Sequence, residues 1–536
     1  MANGYDVVIK GGMVVDGTGN PWLKKDIGII KDKLVKIGHI KGEARKTIDA
    51  AGKVVAPGFV DLHSHTDHNI LPCPDAESFI MMGVTTAVVG NCGLTLAPTS
   101  PRTLPLLRRY LDPFLQDGYS YGWDWRTLGE FYERVEKQKM GLNLVPLAGQ
   151  GTIRLAVKGL EPGPATPAEM NEMKRLLAES MEEGAFGMST GLIYAPGSYC
   201  ETEEIIELTS VLKRYGGIYT THMRNESDRL IESVEETIRI GEANDIPVEI
   251  SHHKALGKTN WGKVNATLRM LEDARRRGVD IGCDAYPYVA TSTSITAIIP
   301  TWLLEGGVDL LPQKLKDNEI REQAKKEIID GTMKGSNAIK AAGWHGIRIA
   351  SCPSNREYEG ESIAEILEMT NRFADPFAGF FDFILEINGN AKIINFSIDE
   401  ADVKTVLSHP LTAFISDAGA MAPRMGGKPH PRTYGTFPRV LAKYVREERL
   451  LPLEEALKKM TSLPAGRVGI SDRGALREGL FADIVVFDPA TIRDKATFDD
   501  PHQYPEGIEY VMVNGIPAVE NGRLTGARAG RVLRKK

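Results

Sequence analysis

Cysteine is scarce in this sequence: Cys73, Cys92, Cys200, Cys283 and Cys352 are the five thiols in 536 residues. An odd and scattered set excludes a disulfide-stapled scaffold, and it leaves each thiol reduced and free to act as a ligand. Long apolar runs are lacking too. No stretch approaches the ~20 residues of a membrane span. Charge of one sign is not in excess, since 65 basic residues face 71 acidic ones for a net charge of -6. Nothing in that balance favours nucleic acid or a membrane surface as a partner. Met1-Ala-Asn-Gly-Tyr-Asp runs straight into Val7-Val8-Ile9 with neither a charged leader nor an apolar h-region, so the chain reads as cytoplasmic. Internal repeats and low-complexity segments are absent, and the basic tail at 531–536 reads as a solvated end.

What is present divides the chain in three. Residues 1–57 alternate short β-rich runs with Gly and Asp turns, and the pattern returns after 470, in Ala482-Asp-Ile-Val-Val-Phe and Tyr510-Val-Met-Val-Asn-Gly. The expectation is one small β-sandwich built from 1–57 and 470–536. Between them, residues 58–469 alternate helices and buried strands. Thr166-Pro167-Ala-Glu169 supplies an N-cap, a proline at the first helical position and a capping-box glutamate, and Met170, Met173, Leu176, Leu177 and Met181 follow on one face. Buried strands are expected at 59–63, 86–91, 142–148, 185–190, 218–222, 248–252, 280–286 and 413–417. Eight strands joined by helical crossovers close a (β/α)8 TIM-type barrel. The seventh and eighth are separated by more chain than a barrel needs, and 290–345 reads as an insertion over the barrel mouth. Its apolar residues Ile295, Ile298 and Ile299 are candidates for lining a substrate pocket.

Chemistry in such barrels sits at the C-terminal ends of the strands. Phe59-Val-Asp-Leu-His63-Ser-His65 ends a strand with two histidines one residue apart, whose side chains point the same way and can share a metal. Cys92 follows the second strand, His222 ends the fifth, His252 the sixth and Asp417 the eighth. Together these six make a metal-site inventory. His253 should face away from His252, into packing.

His63-Ser-His65, Asn91-Cys92-Gly93, Thr221-His222-Met-Arg, Ser251-His252-His-Lys254, Ser416-Asp417 and Lys428-Pro-His-Pro-Arg432-Thr-Tyr-Gly-Thr-Phe-Pro-Arg439 resemble the N-acyl-D-amino-acid deacylases (D-aminoacylases) of the amidohydrolase superfamily. The resemblance covers nearly the whole chain. It implies zinc-dependent hydrolysis of an N-acyl-D-amino acid, a small-molecule substrate, with an oligomer possible. Cys92, His222 and His252 would hold a tight Zn2+, thiolate and imidazole suiting a borderline-soft ion. His63 and His65 would form a weaker second site that Cys92 can bridge. Asp417 would be general base and then general acid. Arg432 would take the substrate carboxylate, helped by Tyr286, which shares its strand face with Tyr288, and by Lys254. The D preference rests on the resemblance alone. Two departures stand out: the segment from Ala418 to Gly427 is longer than the family pattern, which leaves room for Arg424 to intrude, and His253 is not a family requirement. The alternatives are a cyclic amidase of the dihydropyrimidinase or hydantoinase type and a non-catalytic scaffold. The first bridges its metals with a carbamylated lysine on the fourth strand, where this chain has Ala185-Phe-Gly-Met-Ser-Thr-Gly191; the second is free to lose ligands that are all present here.

Overall fold

The computed structural model describes residues 4–535; Met1–Asn3, on which the reading of the N-terminus partly falls, and Lys536, the last residue of the basic tail, lie outside the described residues. Eight parallel strands follow one another round a barrel: Phe59–Asp61, Val84–Val89, Asn143–Pro146 continuing into Ala148–Gly149, Gly187–Gly191, Ile218–His222, Val248–Ile250, Ile281–Ala285 and Thr412–Phe414. The seam between eighth and first strands closes at their C-terminal ends. There the Asp417 N–H donates to His63 O at 2.9 Å and the His65 N–H to Ala418 O at 2.8 Å. Asp61, fully buried, clamps the same seam by accepting from the Ser416 N–H at 3.1 Å and the Ser416 hydroxyl at 2.5 Å.

The crossovers form for local reasons. Pro167–Glu182 is a helix opened by a reciprocal capping box, with Glu169 N–H donating to Thr166 Oγ1 at 3.3 Å and Thr166 N–H to Glu169 Oε2 at 2.8 Å. Met170, Met173, Leu177 and Met181 are the buried face. Thr202–Tyr215 ends where Gly216 turns left-handed at φ 58°. Leu230–Asn244 and Val264–Arg276 continue the outer layer.

Both chain ends join one nine-stranded sheet, in which Val54–Pro57 lies antiparallel to Ile484–Phe487 with Ile484 opposite Pro57. Strand periodicity splits its side chains between two cores: Ile484 and Val486 pack within the sheet's own cluster, and Val485 and Phe487 against the barrel. The last residues are held as well, contrary to the solvated tail that their charge suggested. Leu144 N–H donates to Arg531 O at 2.9 Å, Leu533 N–H to Leu144 O at 2.8 Å, and Val532 is buried.

The segment between the seventh and eighth strands runs past 345. Ala290–Ser294, Lys392–Phe396 and Ile347–Ser351 form an antiparallel sheet with Lys392–Phe396 in the middle, backed by the helices Asn318–Asp330, Ile363–Met369 and Pro376–Glu386. Ile295, Ile298 and Ile299 do not line the cavity at the barrel mouth; they are buried in this unit's own core. Two facing layers of apolar side chains need that filling before any are left for a ligand.

Candidate metal centre

The C-terminal mouth of the barrel opens into a cavity of about 480 Å³, walled on one side by strand ends and on the other by the inserted sheet. At its floor the Cys92 sulfur lies 3.3 Å from His63 Nε2, 3.7 Å from His222 Nδ1 and 3.7 Å from His252 Nε2. Asp417 Oδ1 sits 3.4 Å from His63 Nε2 and 3.3 Å from His65 Nε2. All six predicted ligands and bases therefore meet.

The backbone bends sharply to bring them in. Cys92, His252 and Asp417 have φ of 55°, 38° and 51°, left-handed values that cost a non-glycine residue roughly 1–2 kcal/mol each. Each is the residue that turns the chain off the end of its strand, so the strain sits where a side chain must be aimed. Gly93 follows Cys92 at φ 72°, and a Cβ there would press on Gly191 N at 3.0 Å.

Carboxylates stand behind the imidazoles, and one of them selects the tautomer of His252. Glu226 Oε1 lies 3.0 Å from His252 Nδ1, while Oε2 lies 3.6 Å from His222 Nε2. With the His252 Nδ1 proton turned toward Glu226, His252 Nε2 presents its lone pair to the sulfur's side; His222 Nδ1 faces the sulfur too, while its Nε2 has no hydrogen-bond partner among the described residues. Asp284 Oδ2 stands 3.8 Å from His63 Nδ1, and Oδ1 accepts the His252 N–H at 2.5 Å. Neither Glu226 nor Asp284 was among the residues expected from sequence, although Glu226 follows His222 by four and Asp284 lies on the seventh strand.

Electrostatics suit a cation. Burial holds His63, His222 and His252 well below the usual imidazole range, hence neutral and ligand-competent. Burial pushes the Cys92 thiol well up, so it needs a cation beside it to become the thiolate. For Asp417 burial would raise the pKa, but the Arg432 charge and the neighbouring imidazoles outweigh it and hold the carboxyl well below its ordinary value. Tetrahedral coordination at about 2.3 Å to sulfur and 2.0 Å to nitrogen spaces those donors about 3.5 Å apart. The two 3.7 Å separations from Cys92 fit that spacing.

The expected substrate residues divide. Arg432 lines the cavity, its Nη1 2.8 Å from Asp417 Oδ2, and its guanidinium lies 4.8 Å over the Tyr286 ring. Tyr286 and Lys254 instead line a small pocket behind His252. The Lys254 ammonium donates to Glu226 Oε1 at 2.5 Å, which commits it to the histidine support. Tyr288 packs on His430, with ring centroids 5.0 Å apart. His253 faces outward and bonds the Thr267 hydroxyl at 2.8 Å. Arg424 does not intrude; it is exposed and paired with Glu77.

A model of the amidohydrolase family matches residues 46–519. The chain belongs to that family. It is 37% identical over 530 residues to a D-aminoacylase of Alcaligenes xylosoxydans xylosoxydans, covering 99% of this chain and 97% of that one. With an N-acyl-D-glutamate deacylase of the same organism it shares 35% identity over 536 residues, covering 100% and 98%. The crystal structure of the Bordetella bronchiseptica N-acyl-D-glutamate deacylase, with zinc and a phosphonate mimic of the tetrahedral intermediate, superposes with a TM-score of 0.81 at 33% identity over 99% of this chain and 100% of that one. The buried thiol, imidazoles and carboxylate at the cavity floor are a cluster whose geometry could hold a metal ion. No helix of the described residues is long and apolar enough to cross a membrane.

Proposed function

We propose that this chain hydrolyses the amide bond of N-acyl-D-amino acids to a carboxylate and a free D-amino acid, with Zn2+ as cofactor. The observation that carries this reading is the convergence of Cys92, His63, His222, His252 and Asp417 at the cavity floor, in a chain that aligns end to end with deacylases of such substrates. Cys92, His222 and His252 would hold the tight ion, and His63 and His65 a weaker one with Cys92 shared. When bound, the ion polarises the amide carbonyl and lowers the pKa of water to roughly 7.

The protein's own groups do the rest. Asp417, kept ionised by Arg432, accepts the proton of the attacking water and delivers it to the amide nitrogen, which cannot leave as an anion. Arg432, its plane fixed over Tyr286, presents a fork to the substrate's α-carboxylate. Glu226 accepts from His252 Nδ1–H and so keeps the ring in the tautomer that a ligand needs, while Lys254 donates to the same carboxylate oxygen and balances its charge.

The test is metal analysis of the purified protein together with hydrolysis of paired N-acetyl-D- and N-acetyl-L-amino acids, for wild type and Asp417→Asn. Zinc in both proteins, with D-selective turnover reduced by about 10²–10⁴ in the variant, is the expected result. Zinc without turnover of any acyl amino acid would reject the substrate.

A further inference from the structure

Among the described residues two cations lining the cavity have no counter-charge: Arg108, which is exposed and lies 5.5 Å over the Trp123 ring, and the less exposed Lys392. Lys392 opens the central strand of the inserted sheet, and because Ile393 is buried in the insertion's core, Lys392 and Ile394 turn to the opposite face. Lys392 lines the cavity there, half-buried, with Nζ 3.4 Å from the Phe114 carbonyl oxygen and 6.0 Å from the Phe114 ring centre. That ring lies 6.1 Å from His68 and 6.0 Å from Tyr194, whose own ring is 5.4 Å from the ligand His222. The ammonium thus stands within two aromatic side chains of the metal cluster.

The carboxylates lining the cavity are already matched. Asp417 faces Arg432 at 2.8 Å, Asp117 faces Arg356 at 2.9 Å and Asp112 faces Arg109 at 3.1 Å. Among the described residues no carboxylate oxygen lies within 4.0 Å of Lys392 Nζ. Burial, with the Arg432 charge added, pulls this ammonium down to about 8. Leaving a charge in such a place weakens the fold, so a role with ligand bound is the reason to look for.

We propose that Lys392 is the receptor for a second carboxylate on the substrate, apart from the α-carboxylate that Arg432 takes. This rests on the deacylase reading above, and it makes acidic substrates the preferred class. The second carboxylate can be carried by the amino-acid side chain, as in D-glutamate, or by the acyl group, as in a succinyl amide. A hydrogen-bonded charge pair of this kind is worth roughly 10- to 100-fold in kcat/KM.

The experiment measures kcat/KM for N-acetyl-D-glutamate against N-acetyl-D-glutamine, and for N-succinyl-D-leucine against N-acetyl-D-leucine, in wild type and Lys392→Met. A wild-type ratio of roughly 10 or more in one pair, falling toward one in the variant, supports the proposal and tells which end of the substrate carries the anion. Ratios near one in wild type, or a variant that slows all four substrates equally, overturn it while leaving the deacylase reading intact. Turnover of none of the four defeats that reading and takes this inference with it. Lys392→Met should melt no lower than wild type, because there is no ion pair to lose; a lower Tm with equally slowed substrates would make Lys392 a structural residue and overturn the proposal.

Discussion

Glu226 does two jobs with one carboxylate, and they can be separated. Its Oε1 orients His252 and balances the buried Lys254 ammonium, which is only 5% exposed. In Glu226→Gln the ammonium keeps its place and loses its counter-charge, at a cost of about 3–5 kcal/mol. Metal affinity should fall about 10- to 100-fold as the ring tautomer is no longer enforced. Adding Lys254→Met should restore most of the stability and none of the affinity, read by thermal melts and by chelator competition. His253, on the far face of the same turn, carries a pH dependence. Burial, then the Lys254 charge, lowers it to about 4 from an ordinary 6.5. Between those values the unfolded chain takes up a proton that the folded one refuses, so stability is full above pH 6.5 and falls as the pH drops toward 4. The loss is about 3 kcal/mol. Denaturant titrations of His253→Gln across that window should show a slope flatter by this amount; identical slopes would mean that the native ring is already protonated.

At the scale of strands and turns, the site depends on how closely neighbouring strand ends pass. A Cβ on Gly191 would lie 2.2 Å from Cys92 O and 2.7 Å from the Tyr194 ring. Gly191→Ala must therefore displace the turn that aims the thiol, and we expect metal affinity to fall at least about 10-fold with the far-UV circular dichroism retained. Local features of this kind were legible in the sequence. The capping box at Thr166 and Glu169 involves four consecutive residues, and the ligands mark strand ends because apolar runs stop at them. What depends on pairing distant segments was not. Lys392–Phe396 finds Ala290–Ser294 across nearly a hundred residues, so the insertion's true extent, the burial of Ile295, Ile298 and Ile299 in its core, and the placement of Lys392 over the cavity had no local signal. Glu226 had a weak one, since it follows His222 by four, yet an acid at that spacing is common on any surface.

For the molecule as a whole, the two chain ends act on the barrel from outside. The tail reads as solvated by composition because four of its last six residues are basic, but composition ignores what the backbone does. Gly530 N–H donates to Met140 O at 2.8 Å, Leu144 N–H to Arg531 O at 2.9 Å, Leu533 N–H to Leu144 O at 2.8 Å and Lys535 N–H to Gly184 O at 3.0 Å. The tail thereby adds an outer strand-like layer along the third barrel strand, and Arg534 pairs with Glu136 at 2.8 Å on the adjoining helix. An exposed pair of that kind adds at most about 1 kcal/mol, so the backbone bonds and the burial of Val532 dominate. Four such bonds at about 1 kcal/mol each, with roughly 1.5 kcal/mol for the valine, make about 5 kcal/mol. Truncation after Arg528 should therefore lower the Tm by several degrees. The cavity lining includes no described residue of the third strand, so metal content at 25 °C should not change. An unaltered Tm would return the tail to the solvated state that its charges suggest, and a loss of metal with the Tm would mean that the barrel wall and its mouth unfold together rather than as wall first and mouth later.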